Sequence, residues 1–147
     1  MKYFFSMLLP MLVACKTFNN KLPLTQGIKG TVVEQSGNMM PRPGREKPKP
    51  KAISATLYVY ESTTVAQTQG SLPSFTRINS KLVTILKTNS YGVYATYLPE
   101  GTYSVFIKDD KGFFASESDG NGIINPITVS KGQVTEHNWV LSRNAVY

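Results

Sequence analysis

The chain has 147 residues, of which 41% are apolar and 17% charged. These values exclude a wholly disordered protein and suit a single domain with one hydrophobic core. The net charge of +7 favours anionic partners, but no helix with a basic face and no aromatic-basic RNA-binding motif accompanies it, so we expect no nucleic-acid partner. Tyrosine, phenylalanine and β-branched residues are abundant, and no window keeps a 3.6-residue apolar period, which predicts an all-β protein.

The amino terminus begins with a short positive start, Met1-Lys2, followed by an apolar run from Tyr3 to Ala14. This run is too short to cross a bilayer of ~30 Å as a helix, which needs roughly 20 residues. A positive start and a short apolar run are typical of an export signal. We therefore expect residues 1–14 to be a signal peptide.

The apolar run ends in Leu12-Val13-Ala14-Cys15, and Cys15 is the one cysteine of the chain. This tetrapeptide resembles the lipobox of bacterial lipoproteins. The resemblance implies cleavage before Cys15, a diacylglycerol on its sulfur and a palmitate-type chain on its new amino group. Two or three acyl chains, at about 0.8 kcal/mol per buried methylene, would hold the protein on a membrane. The alternative is an ordinary secretory signal with a chance cysteine.

Residues 15–26 form a polar stretch with no helix signal, which we interpret as a lipidated tether. In the lipoprotein sorting pattern, an aspartate directly after the cysteine favours retention in the inner membrane. Lys16 stands at that position, so the resemblance implies a lipid anchor in the outer membrane of a Gram-negative cell. The tether contains no acidic residue, which favours the leaflet that faces the periplasm.

Residues 27–147 alternate strand-forming runs with turns, at spacings of about 8–12 residues that are typical of a β-sandwich. Residues 62–79 are polar and predict a long loop or a weak edge segment. The apolar centre of 81–87 predicts a strand with both sides partly covered. The predicted strands are 27–34, 52–60, 81–87, 94–98, 103–107, 113–116, 126–129 and 134–141.

A tight corner is predicted at Leu98–Gly101, where the glycine can take the positive φ that a reversal needs. Alternation along the next strand places Tyr103 on the core face. A tyrosine at such a corner commonly buries its ring and bonds a backbone group a few residues upstream through its hydroxyl. The rival interpretation places Tyr103 outside, in an aromatic glycan platform with Tyr94 and Tyr97.

The segment Pro41–Lys51 has four prolines, and its five basic residues outweigh one acidic residue. Prolines remove backbone donors and fix φ, so a packed strand is excluded and a solvated, polyproline-like loop is predicted. Such a loop can contact anionic lipid head groups or glycan, or it can be a charged insertion without a partner. The candidate binding residues are Arg42, Arg45, Lys47, Lys49 and Lys51.

The sequence offers little for catalysis, since its one histidine, His137, has no nucleophile at a recognisable spacing and no Gly-x-Ser-x-Gly motif occurs. No His or Cys pair stands at the spacing of a metal site. Four carboxylates could gather around calcium, although turns attract aspartate for reasons of their own. We expect no catalytic residue, no metal and no cofactor. The four carboxylates are Asp109, Asp110, Glu117 and Asp119.

Three motifs together resemble the carboxypeptidase regulatory-like domain, over roughly residues 27–141. They are Gly27-x-x-Gly30-x-Val32, the pair Asn89–Tyr94 and Leu98–Val105, and the closing pair Ile127–Gln133 and Asn138–Leu141. The resemblance implies a seven-stranded, transthyretin-like (prealbumin-like) β-sandwich. The chain departs from the pattern where Pro41–Lys51 replaces a short turn, and where Asn89 stands in place of a common aspartate.

These features lead to a hypothesis of a membrane-tethered, non-enzymatic accessory or binding domain of the cell envelope, which contacts an envelope protein or glycan. One alternative is a structural subunit of an envelope assembly. Another is a transthyretin-like hydrolase, whose family relies on a His/Arg-rich site and a carboxy-terminal tetrapeptide that residues 144–147 do not supply.

Overall fold

The computed structural model describes residues 23–147, so Cys15, the predicted signal peptide and most of the predicted tether lie outside the described residues. Apart from one short 3₁₀ turn at Val65–Gln67, every regular element in this part of the chain is a β-strand, and the all-β prediction is confirmed. Two main sheets face each other as in a β-sandwich. The strands are β1 (Gly27–Glu34), β2 (Gly37–Asn38), β3 (Lys51–Ala52), β4 (Thr56–Glu61), β5 (Thr68–Ser71), β6 (Ser74–Ile78), β7 (Leu82–Lys87), β8 (Val93–Thr96), β9 (Gly101–Asp109), β10 (Gly112–Phe114), β11 (Pro126–Val129), β12 (Val134–Glu136), β13 (Trp139–Leu141) and β14 (Ala145–Val146).

The first sheet is built around β1. Its first half pairs antiparallel with β8 and parallel with β12, and its second half pairs antiparallel with β3 and parallel with β13. The predicted alternation is confirmed, because Ile28 and Val32 point inward and are fully buried. A separate pair of short strands, β2 and β14, lies beyond the far end of β1.

The second sheet has the order β5-β6-β10-β9-β4-β7, with β11 beside the first half of β9. All five residues from Tyr103 to Ile107 are buried, because both faces of β9 are covered. The inward-facing side chains of the two sheets form the main core. Its buried members are Ile28, Val32, Leu57, Val59, Tyr94, Leu98, Tyr103, Val105, Ile107, Phe114, Ile127, Val129 and Trp139.

The outer face of the second sheet carries a smaller cluster around Phe106, with edge-to-face contacts to Tyr60, Phe75 and Phe113. Part of this face lies under the loop 115–125. Asn125 fastens that loop: its side-chain oxygen accepts the N–H groups of residues 116 and 117, and its amide donates to the carbonyl of Val105 at 3.1 Å. The buried Asn125 therefore satisfies backbone groups that water does not reach.

Two predicted strands are interrupted, each by a side chain that replaces a backbone partner. The strand predicted at 52–60 is divided into β3 and β4, because the Thr88 hydroxyl accepts the N–H of Ala55 and donates to the carbonyl of Ile53. The strand predicted at 134–141 is divided into β12 and β13, where the side-chain oxygen of Asn138 accepts the N–H of Thr31 at 2.9 Å. A side-chain oxygen that takes the place of a backbone partner does not alter the pattern of apolar residues, so these two interruptions could not be predicted from that pattern.

Residues 62–79 do not form a long loop, since β5 and β6 form a hairpin there and Phe75 is fully buried. The alternative prediction of an edge segment is confirmed, because β5 is the outermost strand of the second sheet and most of its residues are exposed. For 81–87 the expectation that both sides are partly covered was wrong. Val83 and Leu86 pack on the core, but β7 is an edge strand, and Leu82 and Ile85 are 41% and 47% exposed.

The corner before β9 has the predicted geometry. Gly101 has a φ of 152°, and the Tyr103 ring lies in the core with 7% exposure. The Tyr103 hydroxyl donates to the carbonyl of Pro99 at 2.7 Å, four residues upstream. The prediction of a core-facing corner tyrosine is therefore confirmed.

Tyr94 makes a second contact of this kind, across β1. It stands opposite Gly30, and its hydroxyl donates to the carbonyl of His137 at 2.8 Å and accepts the indole N–H of Trp139 at 3.0 Å. Burial raises the pKa of Tyr94 to about 12, so its hydroxyl keeps its proton.

Replacing Tyr103 tests the corner. Tyr103→Phe should lower the free energy of unfolding by about 1 kcal/mol, the net worth of one hydrogen bond, and Tyr103→Ala by about 3–5 kcal/mol through the added cavity. Tyr97 is 62% exposed and is the matched control. Tyr97→Ala should stay within about 0.5 kcal/mol of wild type in denaturant melts. Equal effects of Tyr103→Ala and Tyr97→Ala would contradict the corner.

Gly92 offers a graded test of the turn before β8. It has a φ of 71°, and an added Cβ would collide with the backbone carbonyl of Val32. Gly92→Ala should therefore destabilise by more than ~1 kcal/mol, through both strain and collision. Gly122→Ala, at φ 77° in open space, should show only the strain, and Gly120→Ala, which has neither feature, should be nearly neutral. Thermal melts that place the three variants in another order would contradict this geometry.

Candidate interaction surface

The segment Pro41–Lys51, called here the basic arm, lies on the surface, and each of its residues is exposed. Five basic residues and one acidic residue give the arm a net charge of +4, against +7 for the whole chain. The prediction of a solvated loop is confirmed. The structure brings all five candidate binding residues to this one surface: Arg42, Arg45, Lys47, Lys49 and Lys51.

The arm is nevertheless attached to the domain at defined points. The N–H of Arg45 donates to the carbonyl of Arg42 at 3.2 Å and closes a turn. The side-chain amide of Gln35 donates to the carbonyl of Pro48 at 2.9 Å. Lys51 in β3 lies opposite Glu34 of β1 in an antiparallel strand pair. Sequence reasoning did not identify Gln35, because a glutamine after a strand gives no signal of a partner thirteen residues away.

A cleft of about 190 Å³ lies between the arm and the residues that follow β2. Arg42, Arg45 and Glu46 are among the residues that line it. Arginine presents its donors in a planar fork that matches carboxylate and phosphate groups. The remaining lining residues are Asn38, Met40 and Pro48.

The residues directly before β1 and the basic arm lie at opposite ends of β1. At the first end, the Gln26 side chain donates to the carbonyl of Leu98 and accepts the N–H of Gly132, both at 2.9 Å. The arm joins at the other end, where Glu34 pairs with Lys51. Since β1 has eight residues at ~3.3 Å each, the two ends are about 25 Å apart.

His137 serves as a packing residue. Its ring lies 3.9 Å from the Trp139 ring, centroid to centroid, and its backbone carbonyl accepts the Tyr94 hydroxyl. Burial lowers the pKa of the imidazole, against a smaller opposing effect of Glu117. The imidazole is therefore held in its neutral form to lower pH than in an unfolded chain.

Two of the four carboxylates considered for calcium have structural tasks of their own, and these tasks differ. Asp109 forms an ion pair with Arg143, at 2.7 Å between Oδ2 and Nε, in which both side chains are mostly buried. Asp119 accepts the N–H groups of Asn121 and Ile123 and shapes a turn. Within residues 23–147, no group of three or more histidine, cysteine or acidic side chains is placed to hold a metal ion.

The rival interpretation, in which Tyr103 lies outside in an aromatic glycan platform with Tyr94 and Tyr97, is wrong. Tyr94 is 2% exposed and Tyr103 is 7% exposed, whereas Tyr97 is 62% exposed. Two of the three rings therefore belong to the core, and Tyr97 stands alone on the surface.

The packing of His137 predicts a dependence of stability on pH. Because its pKa is lower in the folded chain than the usual 6.5, the stabilising contribution is present above pH 6.5 and is lost as pH falls through the folded value. The melting temperature of wild type should fall between pH 7.5 and pH 5.5. His137→Gln should lose less over the same range, and parallel curves for the two proteins would exclude His137 as the cause.

No family model, no curated protein and no solved structure matches this chain. In the described residues, no helix is long and apolar enough to cross a membrane. The likeness to the carboxypeptidase regulatory-like domain thus stays a hypothesis carried by the sequence motifs.

Proposed function

We propose that the protein is a membrane-tethered, non-enzymatic accessory or binding domain of the Gram-negative cell envelope. In this proposal, residues 1–14 are removed, Cys15 carries the lipid, residues 15–26 form the tether, and residues 27–147 form the binding domain. The anchor lies in the outer membrane and the domain faces the periplasm.

The observation that carries the proposal is the arrangement of the two ends of β1. The chain enters the domain beside Gln26, and the basic arm projects about 25 Å away, beyond Glu34. A domain held at one end and charged at the other is suited to reach a partner at a distance from its anchor. The arm is also fixed by Gln35, so its charges are presented from a defined place.

A binding role also agrees with how the chain uses its reactive side chains. The imidazole of His137 packs on Trp139, and the hydroxyls of Tyr94 and Tyr103 hold backbone carbonyls. Each of these groups therefore has a structural partner. A general base acts through a group that is free to reach a substrate proton, and the two tyrosine hydroxyls are committed to backbone carbonyls instead.

The sandwich itself supports the finer assignment to a transthyretin-like domain. The structure has two facing sheets. The motif Gly27-x-x-Gly30-x-Val32 lies in the central β1, and the corner tyrosine lies within the motif Leu98–Val105. In this proposal, the strands of the family correspond to the longer strands of the structure. The basic arm is then an insertion particular to this chain.

The anchor and its sorting can be tested in cells. Metabolic labelling with a palmitate analogue should mark wild type, and Cys15→Ala should lose both the label and the retention on membranes. Lys16→Asp should keep the label but move the protein to the inner-membrane fraction of a density gradient, and Lys16→Gln is the matched control that should stay with the outer membrane. A label that survives in Cys15→Ala would overturn the anchor, and an unmoved Lys16→Asp would overturn the sorting.

A further inference from the structure

We infer that the basic arm is a binding site for a linear polyanion, a carboxylate-bearing glycan polymer of the envelope, and that it faces away from the membrane that anchors the chain. This inference rests on the proposed function and deepens it by naming the class of partner. It commits to a glycan rather than to lipid head groups.

The spacing of the charges favours a polymer. Lys47, Lys49 and Lys51 alternate with prolines, which keep the chain extended. At ~3.1 Å per residue in such a chain, the Cα atoms of successive lysines lie about 6 Å apart, so three cations fall within about 12 Å of chain. This local density of positive charge on long, flexible side chains suits a polymer with many anionic groups better than a single small anion.

The cleft beside the row supplies a more specific contact. Arg42 and Arg45 line it from one closed turn, so a single carboxylate can meet two guanidinium forks. Glu46 lines the same cleft and is the one acidic residue of the arm. Its charge competes with that of the ligand, and its removal should strengthen binding.

The position of the arm argues against lipid head groups of the anchoring membrane. The tether enters near Gln26 and the arm lies about 25 Å away at the other end of β1. Exposed charges interact over a Debye length of only ~8 Å at physiological salt. When β1 points away from the membrane with its first residue nearest to it, the arm is beyond the electrostatic reach of the lipid surface and open to a polymer.

The experiment uses the full chain, purified in a neutral detergent so that binding does not depend on membrane insertion. The probe is polygalacturonate, a linear polysaccharide with one carboxylate per sugar, and neutral dextran is its counterpart. Wild type should bind polygalacturonate, with an affinity that falls as salt rises, and should not bind dextran. Absence of binding to polygalacturonate would overturn the inference.

Matched variants locate the site. Lys47→Gln, Lys49→Gln and Lys51→Gln combined should weaken binding about tenfold, since each exposed ion pair contributes a factor of about two to three. The control combines Lys87→Gln, Lys111→Gln and Lys131→Gln, which remove the same charge from exposed sites elsewhere. It should change the affinity less than about twofold, and equal losses in the two triple variants would overturn the assignment to the arm.

Two further variants examine the cleft. Arg42→Lys combined with Arg45→Lys keeps the charge and removes the planar forks, so binding should weaken although the net charge is unchanged. Glu46→Gln should tighten binding. An unchanged affinity in both would remove the cleft from the site and overturn that part of the inference.

Vesicles separate the two sources of negative charge. With the lipidated chain inserted in phosphatidylcholine vesicles, polygalacturonate should still bind, and added vesicles of phosphatidylglycerol should compete poorly. Stronger binding to phosphatidylglycerol through the same lysines would replace the glycan by a lipid and overturn the inference. A chain that fails to insert but binds polygalacturonate in detergent would contradict the anchor alone and leave the arm supported.

Discussion

The first sheet depends on an aromatic ring that passes over a glycine. Tyr94 in β8 lies across Gly30 of β1, and its hydroxyl reaches the carbonyl of His137 and the indole of Trp139 on the other side of that strand. A Cβ at residue 30 would collide with the same carbonyl and lie 3.1 Å from the tyrosine oxygen. The glycine is therefore required, because it leaves the space in which three strands are joined. This contact also fixes the imidazole of His137 beside Trp139.

The alternation of side chains predicted the fold wherever a strand has one buried face. β1 and the start of β9 show this, with Ile28 and Val32 inside as expected, and Tyr103 bonded to Pro99. Alternation failed at the hairpin of β5 and β6, whose sequence is polar because most of its side chains are exposed and Phe75 alone is fully buried there. A single buried ring in a polar segment is too weak a signal to predict a strand.

The sequence predicted the exposure and charge of the candidate surface, but not its position in the fold. The charge and the prolines of the arm are local properties, so its exposure could be predicted from residues 41–51 themselves. Its distance from the residues that precede β1 could not be predicted, since this follows from the pairing of Lys51 with Glu34 at the far end of β1. The support from Gln35 was equally hidden, because a side-chain amide can bond any carbonyl that the fold brings near it.

The parallel pairing of β1 with β12 and β13 also bears on when the domain can form. The strand that starts the domain takes two of its neighbours from residues 134–141, so a chain still being synthesised lacks one whole side of the first sheet. Pairing between such distant segments is slow, because the loop between them must be closed before the contacts are gained. The sandwich therefore cannot close until residues 134–141 are present, and the first sheet forms as a whole rather than piece by piece along the growing chain.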